Sequence, residues 1–190
     1  MIKSFFSFIF ELLKIVVISL VIIIPIRYFL IQPFYVKGAS MEPTFYDHEY
    51  LIIDEITYRL HQPSRGDVIV FRYPRNPQEY FIKRVIGLPG EKVQIKDGRI
   101  TIFNKEHADG FLLDEAYLPS DVKTYSLTED AVTLGDNEFW VMGDNRNASK
   151  DSRSFGPVDK SFLVGRVLFR GFPFDRVTVF NGIKYPITNN

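Results

Sequence analysis

The feature that most constrains this chain is a long apolar run near its N-terminus. Residues 5–34 are mostly apolar. Three charged residues interrupt them: Glu11, Lys14 and Arg27. The densest part, residues 15–26, is short for a bilayer, because a membrane-spanning helix needs roughly 20 residues. Extending it to residues 12–31 reaches that length, so we predict one transmembrane helix in the lipid bilayer.

The residues near the ends of the run fit such a helix. Lys14 and Arg27 lie where long cationic side chains extend to the lipid headgroups. Lys3 and Lys14 favour a cytoplasmic N-terminus. We therefore expect residues 1–34 to form a cytoplasmic tip and a single-pass anchor in the cell membrane, with an extracytoplasmic domain over residues 35–190. Four residues form an aromatic belt at the exit: Tyr28, Phe29, Phe34 and Tyr35.

Two other interpretations of the run stay open on the sequence alone. A cleaved secretory signal has a basic start and small residues at its cleavage site, and Lys3 and residues 36–38 supply approximations of both. Its apolar segment is, however, shorter than this one. The other interpretation is a buried core helix, which would hold the charged residues of the run away from water.

The balance of charges bears on the class of partner. Lys and Arg total 23, as do Asp and Glu, so the net charge is zero. Because no block of like charge appears, the chain has little electrostatic basis for binding nucleic acid, and we expect no nucleic-acid partner. The chain has no cysteine, which is compatible with an oxidising compartment.

After the apolar run, short β-prone segments alternate with turn signals. The segments 92–96 and 99–103 are joined by Asp97-Gly98, a strong hairpin signal. The other segments are residues 50–54, 67–72, 79–87, 138–143 and 162–172. We therefore predict a mainly β fold: an antiparallel β-rich domain with a small inserted cap at about residues 104–136, preceded by one N-terminal transmembrane helix.

The histidines form no recognisable site. His48, His61 and His107 are widely spaced and lie in polar stretches. They lack metal-ligand spacing, so we expect them to face solvent and expect no metal or other cofactor. A Ser-His-Asp arrangement stays open on chain order, because that triad occurs in several orders.

A serine without a histidine partner needs another base. Ser40 lies among small residues just after the apolar run, where a plain turn is the alternative to a nucleophile. A neutral lysine can accept the proton, since burial lowers the lysine pKa by several units from about 10.4. Lys83 shares a strand face with Phe81 and Val85. If that face is buried, Lys83 is a candidate base; a solvated strand lysine is the alternative.

Four segments occur together in this chain: SMEPT (40–44), RGDVIVF (65–71), KRVIGLPGE (83–91) and GDNRNASKDSRSFGPV (143–158). In their order, and in their place after a membrane span, they resemble the type I signal peptidases, also called leader peptidases. The resemblance implies a β-rich catalytic domain with a smaller cap. It also implies a membrane-bound serine endopeptidase that removes N-terminal signal peptides from exported preproteins by cutting after small residues.

The resemblance also implies roles for individual residues. Ser40 corresponds to the nucleophile, with its backbone N–H as an oxyanion donor, and Lys83 to the general base of a Ser-Lys dyad. Ser149 corresponds to the serine that hydrogen-bonds this lysine. Asp151 and Arg153 correspond to charged residues that support the site as an ion pair.

One position departs from some members of the family. Gly38 stands where certain relatives have a hydroxyl residue that helps to hold the oxyanion, so the second donor is not identified. Residues 144–146 correspond to the loop that carries Ser149. Two other functions stay open: a self-cleaving Ser-Lys regulator, which would need a DNA-binding module before Ser40, and a membrane-tethered binding module without activity.

Overall fold

The computed structural model describes residues 2–29 and 31–180. The helices are α1 (Ile2–Phe29), α2 (Thr57–Leu60) and α3 (Ser152–Phe155), with 3-10 turns at Lys160–Phe162 and Phe174–Arg176. The strands are β1 (Ile31–Tyr35), β2 (Tyr50–Asp54), β3 (Val68–Tyr73), β4 (Asn76–Gly87), β5 (Lys92–Lys96), β6 (Arg99–Phe103), β7 (Phe111–Leu112), β8 (Val132–Thr133), β9 (Glu138–Met142), β10 (Val158–Asp159), β11 (Leu163–Phe172) and β12 (Thr178–Val179). All strand pairs among these residues are antiparallel, which confirms the predicted fold class.

Helix α1 is long and apolar enough to cross a membrane. Its window Phe5–Ile24 has a mean hydropathy of 2.6 and is 0% buried inside the protein. The helix ends at Phe29, earlier than the predicted span, which reached residue 31. Gln32 precedes Pro33, and a residue before proline is displaced from the helical region, so the chain continues as strand β1.

Strand β1 changes the interpretation of the predicted aromatic belt. Phe34 is half-buried against the core and its ring lies 5.5 Å from that of Tyr80. Tyr35 is exposed, and its ring lies 5.0 Å from that of Tyr50 on the neighbouring strand. Both residues are therefore part of the sheet. The side chains of Lys3, Arg27, Tyr28 and Phe29 lie outside the described part of the structure.

The strands form two sheets. In the larger sheet β1, β2, β11, β3, β4, β9 and β10 lie side by side, and β12 pairs with β11. The smaller sheet has the order β7, β6, β5, β8, and it lies in the insertion between β4 and β9. Only β7 and β8 fall within residues 104–136, where the cap was predicted, because β5 and β6 precede that range. Its β5–β6 hairpin turns at Asp97 and Gly98, whose φ angles of 52° and 77° fit the type I′ turn that Asp-Gly favours.

An apolar cluster joins the two sheets. Ile86, Trp140 and Met142 of the larger sheet pack against apolar residues of the insertion. The latter are Val93, Ile95, Ile100, Ile102, Leu113 and Leu134. The insertion is thus attached next to the end of β4, a few residues after Lys83.

This cluster yields a stability prediction. Ile102 is 0% exposed, so Ile102→Ala should lower the free energy of unfolding by about 2–5 kcal/mol through lost burial and a cavity. Urea unfolding of the detergent-solubilised chain, followed by the fluorescence of Trp140, the single tryptophan, measures the change. Thr101→Ala on the same strand is the control and should cost much less. Equal effects of the two substitutions would contradict the assigned packing.

Candidate active site

The structure brings Ser40 and Lys83 into direct contact. Lys83 Nζ lies 2.7 Å from Ser40 Oγ. Ser40 lies in a turn after β1, and this turn is folded back because Val36 N–H donates to the Glu49 carbonyl at 2.9 Å. Lys83 lies within β4. Two segments 43 residues apart in sequence therefore place a hydroxyl and an amine within hydrogen-bonding distance.

Lys83 is buried, and burial changes its acid–base chemistry. Its side chain is among the buried polar groups, with 3% of its surface exposed, and Nζ also donates to the Ile82 carbonyl at 2.7 Å. Desolvation lowers the pKa of Lys83 to about 8, against the opposite effects of Asp151 and Asp144. A pKa near neutrality gives the amine a substantial neutral fraction, in which it can accept a proton.

Strand β4 is buried on both faces at this point. Lys83 and Val85 lie on one face and Arg84 and Ile86 on the other, and all four are buried. The sequence left open which face was inward, and the structure shows that both are.

Arg84 binds Asp144 on the face opposite Lys83. Its Nε donates to Asp144 Oδ1 at 2.8 Å, and both side chains are buried. The other oxygen of Asp144 accepts a hydrogen bond from Thr44 Oγ1 at 2.6 Å. One carboxylate thereby connects β4, the turn that carries Ser40 and the loop after β9.

Asn145 forms hydrogen bonds with the backbone around Ser40. Its N–H donates to the Ser40 carbonyl at 3.1 Å, and its side-chain Nδ2 donates to the Ala39 carbonyl at 3.0 Å. These two bonds fix the peptide units on both sides of the Ser40 Cα. Asn145 is therefore a positioning residue that the sequence analysis assigned only to loop shape.

Asp151 and Arg153 form the expected ion pair. Arg153 Nη2 lies 2.7 Å from Asp151 Oδ2, and Asp151 is 0% exposed. The carboxylate also accepts a bond from Gly143 N–H at 3.1 Å, and from Arg153 N–H at the start of α3. The pair therefore braces both ends of the loop that contains Ser149.

The structure shows no hydrogen bond between Ser149 and Lys83 among the described residues. The Ser149 hydroxyl is buried and has no hydrogen-bond partner among the described residues, whereas Lys83 donates to Ser40 and Ile82. Ser149 lies against Gly143 next to the Ser40 carbonyl. It is thus near the backbone of Ser40, and its supporting role stays a prediction.

Gly38 does not supply a free backbone donor. Its N–H donates to Asp47 Oδ1 at 2.8 Å. This bond uses the amide that could have replaced the hydroxyl residue of some relatives. The Ser40 N–H remains the oxyanion donor that we propose.

Arg146 connects this loop to the insertion, whereas the sequence analysis assigned it only to the loop itself. It is buried, and its Nε donates to the Gly143 carbonyl at 3.1 Å. Its guanidinium also contacts Glu115, Thr124 and the hydroxyl of Tyr117. Because these partners lie 22 to 31 residues earlier in the chain, no local pattern could have identified them.

The histidines lie apart from this arrangement. His48 is exposed and pairs with Asp47, and His61 is exposed. His107 is half-buried, with its ring 5.0 Å from that of Phe111, so the expectation that all three face solvent is wrong for His107. Its aromatic neighbour gives it partial burial.

A groove opens beside Ser40 and Lys83. Its volume is about 650 Å³. Residues 80–83 of β4 pair with β3 on one edge, whereas on the other edge β4 pairs with β9 only from Arg84 onward among the described residues. Residues 79–83 therefore present one open strand edge along the groove. Apolar side chains form much of its wall, including Phe34, Val36, Leu51, Val70 and Ile82. An extended peptide could therefore add to β4 next to Ser40.

The chain resembles proteins that carry one family name. It matches the family described as "Signal peptidase, peptidase S26" over residues 9–172. It is 37% identical over 172 residues to "Probable signal peptidase I-2" of Synechocystis sp., with 88% of this chain and 75% of that protein covered. It is 32% identical over 170 residues to "Signal peptidase IB" of Staphylococcus aureus, with 84% and 87% covered.

A solved structure is also similar. The crystal structure of a signal peptidase I from Enterococcus faecalis has 31% sequence identity, covers 56% of this chain and 97% of its own, and has a TM-score of 0.46.

The family match and the N-terminal apolar helix together define a membrane-anchored peptidase. The chain belongs to the signal peptidase family, peptidase S26. The family resemblance stated from four sequence segments is thereby confirmed.

The close packing at Gly143 yields a test of the site. A Cβ at this position would lie 2.2 Å from Ser149 Oγ and 2.3 Å from the Ser40 carbonyl oxygen. Gly143→Ala must therefore displace the Ser40 backbone, and a displacement of about 1 Å costs on the order of 100-fold in rate. Peptide-cleavage assays measure kcat/KM.

The control for this prediction is Gly135→Ala. There a Cβ would meet only the end of a flexible side chain, Glu138, at 3.3 Å, so activity should stay close to that of the wild type. Wild-type kcat/KM in Gly143→Ala would contradict the placement of Ser40 against this glycine.

Proposed function

We propose that this chain is a serine endopeptidase that uses a Ser40–Lys83 dyad to remove N-terminal signal peptides from exported preproteins. The observation that carries the proposal is the 2.7 Å contact between Lys83 Nζ and Ser40 Oγ, with the amine buried. Ser-Lys pairs are one of the arrangements that activate a serine nucleophile. The names of the relatives supply the substrate class.

The first step forms an acyl-enzyme. Neutral Lys83 accepts the proton of the Ser40 hydroxyl as Oγ attacks the carbonyl carbon at the cleavage site. The carbonyl oxygen becomes an oxyanion that the Ser40 N–H can stabilise. When the C–N bond breaks, the protonated Lys83 returns its proton to the leaving amine, which is the new N-terminus of the mature protein.

The second step hydrolyses the acyl-enzyme, with water as the nucleophile and Ser40 as the leaving group. Neutral Lys83 accepts a proton from a water molecule as the oxygen of that water attacks the acyl carbon. The ester bond to Ser40 breaks, the proton returns to Oγ, and the signal peptide leaves with a new carboxylate. No cofactor takes part in either step.

The groove supports an extended substrate. The open edge of residues 79–83, on the side away from β3, can form hydrogen bonds with a substrate strand, while the apolar wall formed by Val36, Leu51 and Ile82 contacts its side chains. We propose that small residues precede the cut, as in the family resemblance. A small side chain lets the scissile carbonyl approach Ser40 closely.

The membrane arrangement is part of the proposal. Residues 1–34 would form a cytoplasmic tip and the anchor, and residues 35–190 an extracytoplasmic peptidase domain with its cap at about 104–136. Support comes from the window Phe5–Ile24 of α1, which is 0% buried inside the protein, and from Lys14 on the N-terminal side. The groove would then face preproteins that leave the membrane.

The decisive experiment is cleavage of a model preprotein by the full chain in detergent, with mass spectrometry of the new N-terminus. We expect wild type to cut after a small residue. Ser40→Ala and Lys83→Ala should lose about 10³-fold or more of the rate. Lys83→Arg should be equally inactive, because an arginine stays protonated.

The controls separate this proposal from a binding module. Lys105→Ala removes an exposed lysine of the insertion and should leave cleavage unchanged. If wild type is inert with several preproteins, or if Ser40→Ala keeps its rate, the dyad is not the catalytic device.

The pKa of Lys83 predicts the pH dependence. Only the neutral amine can accept a proton, and the pKa is about 8. Below that pH the neutral fraction falls about tenfold per unit, so kcat/KM should fall likewise, and above it the rate should level off. A pH profile measured between pH 5 and pH 10 tests this. A rate that is flat down to pH 5 would contradict a lysine base.

A further inference from the structure

A second cavity lies near the groove and has no part in the proposed reaction. Tyr80 lines both, and the second has a volume of about 300 Å³. Three elements converge on it: α2, β3 and the 3-10 turn Lys160–Phe162. Its main polar lining residues are Gln32, Glu55, Tyr58, Arg59, Arg72 and Lys160.

The cavity carries an excess of positive charge. Arg59, Arg72 and Lys160 contribute three cations. Arg59 lies 3.7 Å from Glu55, while Arg72 and Lys160 form no ion pair with a carboxylate in the part of the chain that the structure describes. Such a concentration of unneutralised cations around a concave surface attracts anions.

The single carboxyl group in the wall opposes this attraction only weakly. Glu55 has a side chain that is 13% exposed, and its Oε1 is buried without a hydrogen-bond partner among the described residues. Burial raises the pKa of Glu55, against the effects of Arg59 and Arg72. Within the wall of the cavity this one carboxyl group is outnumbered by the three cations.

The position of the cavity indicates which anions can reach it. Gln32 lines it and lies three residues after Phe29, where α1 ends. Three residues of extended chain span only about 10 Å. In a membrane-anchored chain the cavity is therefore held close to the lipid headgroups, whose phosphates are the most abundant anions there.

We propose that this cavity binds a phosphate group through Arg59, Arg72 and Lys160, and that the phosphate is that of an anionic phospholipid headgroup. Two guanidinium groups and an ammonium provide the donors that phosphate oxygens prefer. A bound headgroup would hold the domain against the membrane beside the groove. Binding depends on these cations and not on the dyad, so it can fail or succeed independently of the proposed cleavage.

The test measures lipid binding to the full chain in neutral detergent by native mass spectrometry. Phosphatidylglycerol is titrated in one arm, zwitterionic phosphatidylcholine in a second, and inorganic phosphate in a third by calorimetry. We expect phosphatidylglycerol to bind more tightly than phosphatidylcholine. The double variant Arg72→Gln with Lys160→Gln should weaken that binding about tenfold or more.

A matched control removes the same charge elsewhere. Arg99→Gln with Lys105→Gln neutralises two exposed cations of the insertion and should leave the affinity unchanged. The pair Arg72→Lys with Lys160→Arg keeps both charges and should retain affinity within about threefold. Unfolding midpoints from Trp140 fluorescence verify that all variants are folded.

The outcomes distinguish the sources of the phosphate. Loss of phosphatidylglycerol binding in the cavity variant, but not in the control, supports the lipid headgroup. If only inorganic phosphate shows this dependence, the phosphate site stands and its ligand is soluble. If neither ligand distinguishes the cavity variant from the control, the proposal is overturned.

Discussion

The burial of a lysine amine against a serine hydroxyl is the constraint on which the rest of the site depends. A buried ammonium is costly, and the two carboxylates that could stabilise it are each held by an arginine: Asp144 by Arg84 and Asp151 by Arg153. Each arginine therefore neutralises much of the charge of its carboxylate, so the carboxylate stabilises the Lys83 ammonium less. This explains why desolvation outweighs them and why the pKa of Lys83 falls to about 8.

The same arginine–carboxylate pairs also hold the loops together. The turn with Ser40 and the loop after β9 are about 100 residues apart in sequence, yet Thr44 binds Asp144 and Asn145 binds the peptides around Ser40. The electrostatic balance around the amine and the position of the hydroxyl thus share one set of residues. A substitution at Asp144 would disturb both at once.

Much of the β structure was visible in the sequence because it depends on local patterns. The segment 50–54 and the hairpin around Asp97-Gly98 were predicted with the observed bounds, and the other predicted segments correspond to strands within a few residues. The prediction was weaker for β4, because the alternation of apolar and polar residues cannot identify the inward face of a strand that is buried on both faces. For that reason Lys83 became a firm candidate only through the family resemblance.

The features that escaped prediction depend on contacts between distant segments. The bonds of Arg146 to the insertion and of Asn145 to Ala39 leave no periodic signal. The burial of the Ser149 hydroxyl without a hydrogen-bond partner among the described residues also leaves no sequence signal. Ser149 lies where its own loop packs at Gly143 against the turn that carries Ser40. The end of α1 was placed too late for a different, local reason. The run stays mostly apolar up to Pro33, so its composition does not reveal that the helix ends before this proline.

That early helix end has a consequence for how the enzyme would choose its cutting point. Only residue 30 separates α1 from β1, and β1 is paired along its whole length with β2. A connection of one residue limits how far β1 can lie from the end of α1, and through β1 it limits the distance of Ser40 from that end. If α1 crosses the membrane as proposed, a peptide bond must lie at that distance from the bilayer, as well as follow a small residue, in order to be cut.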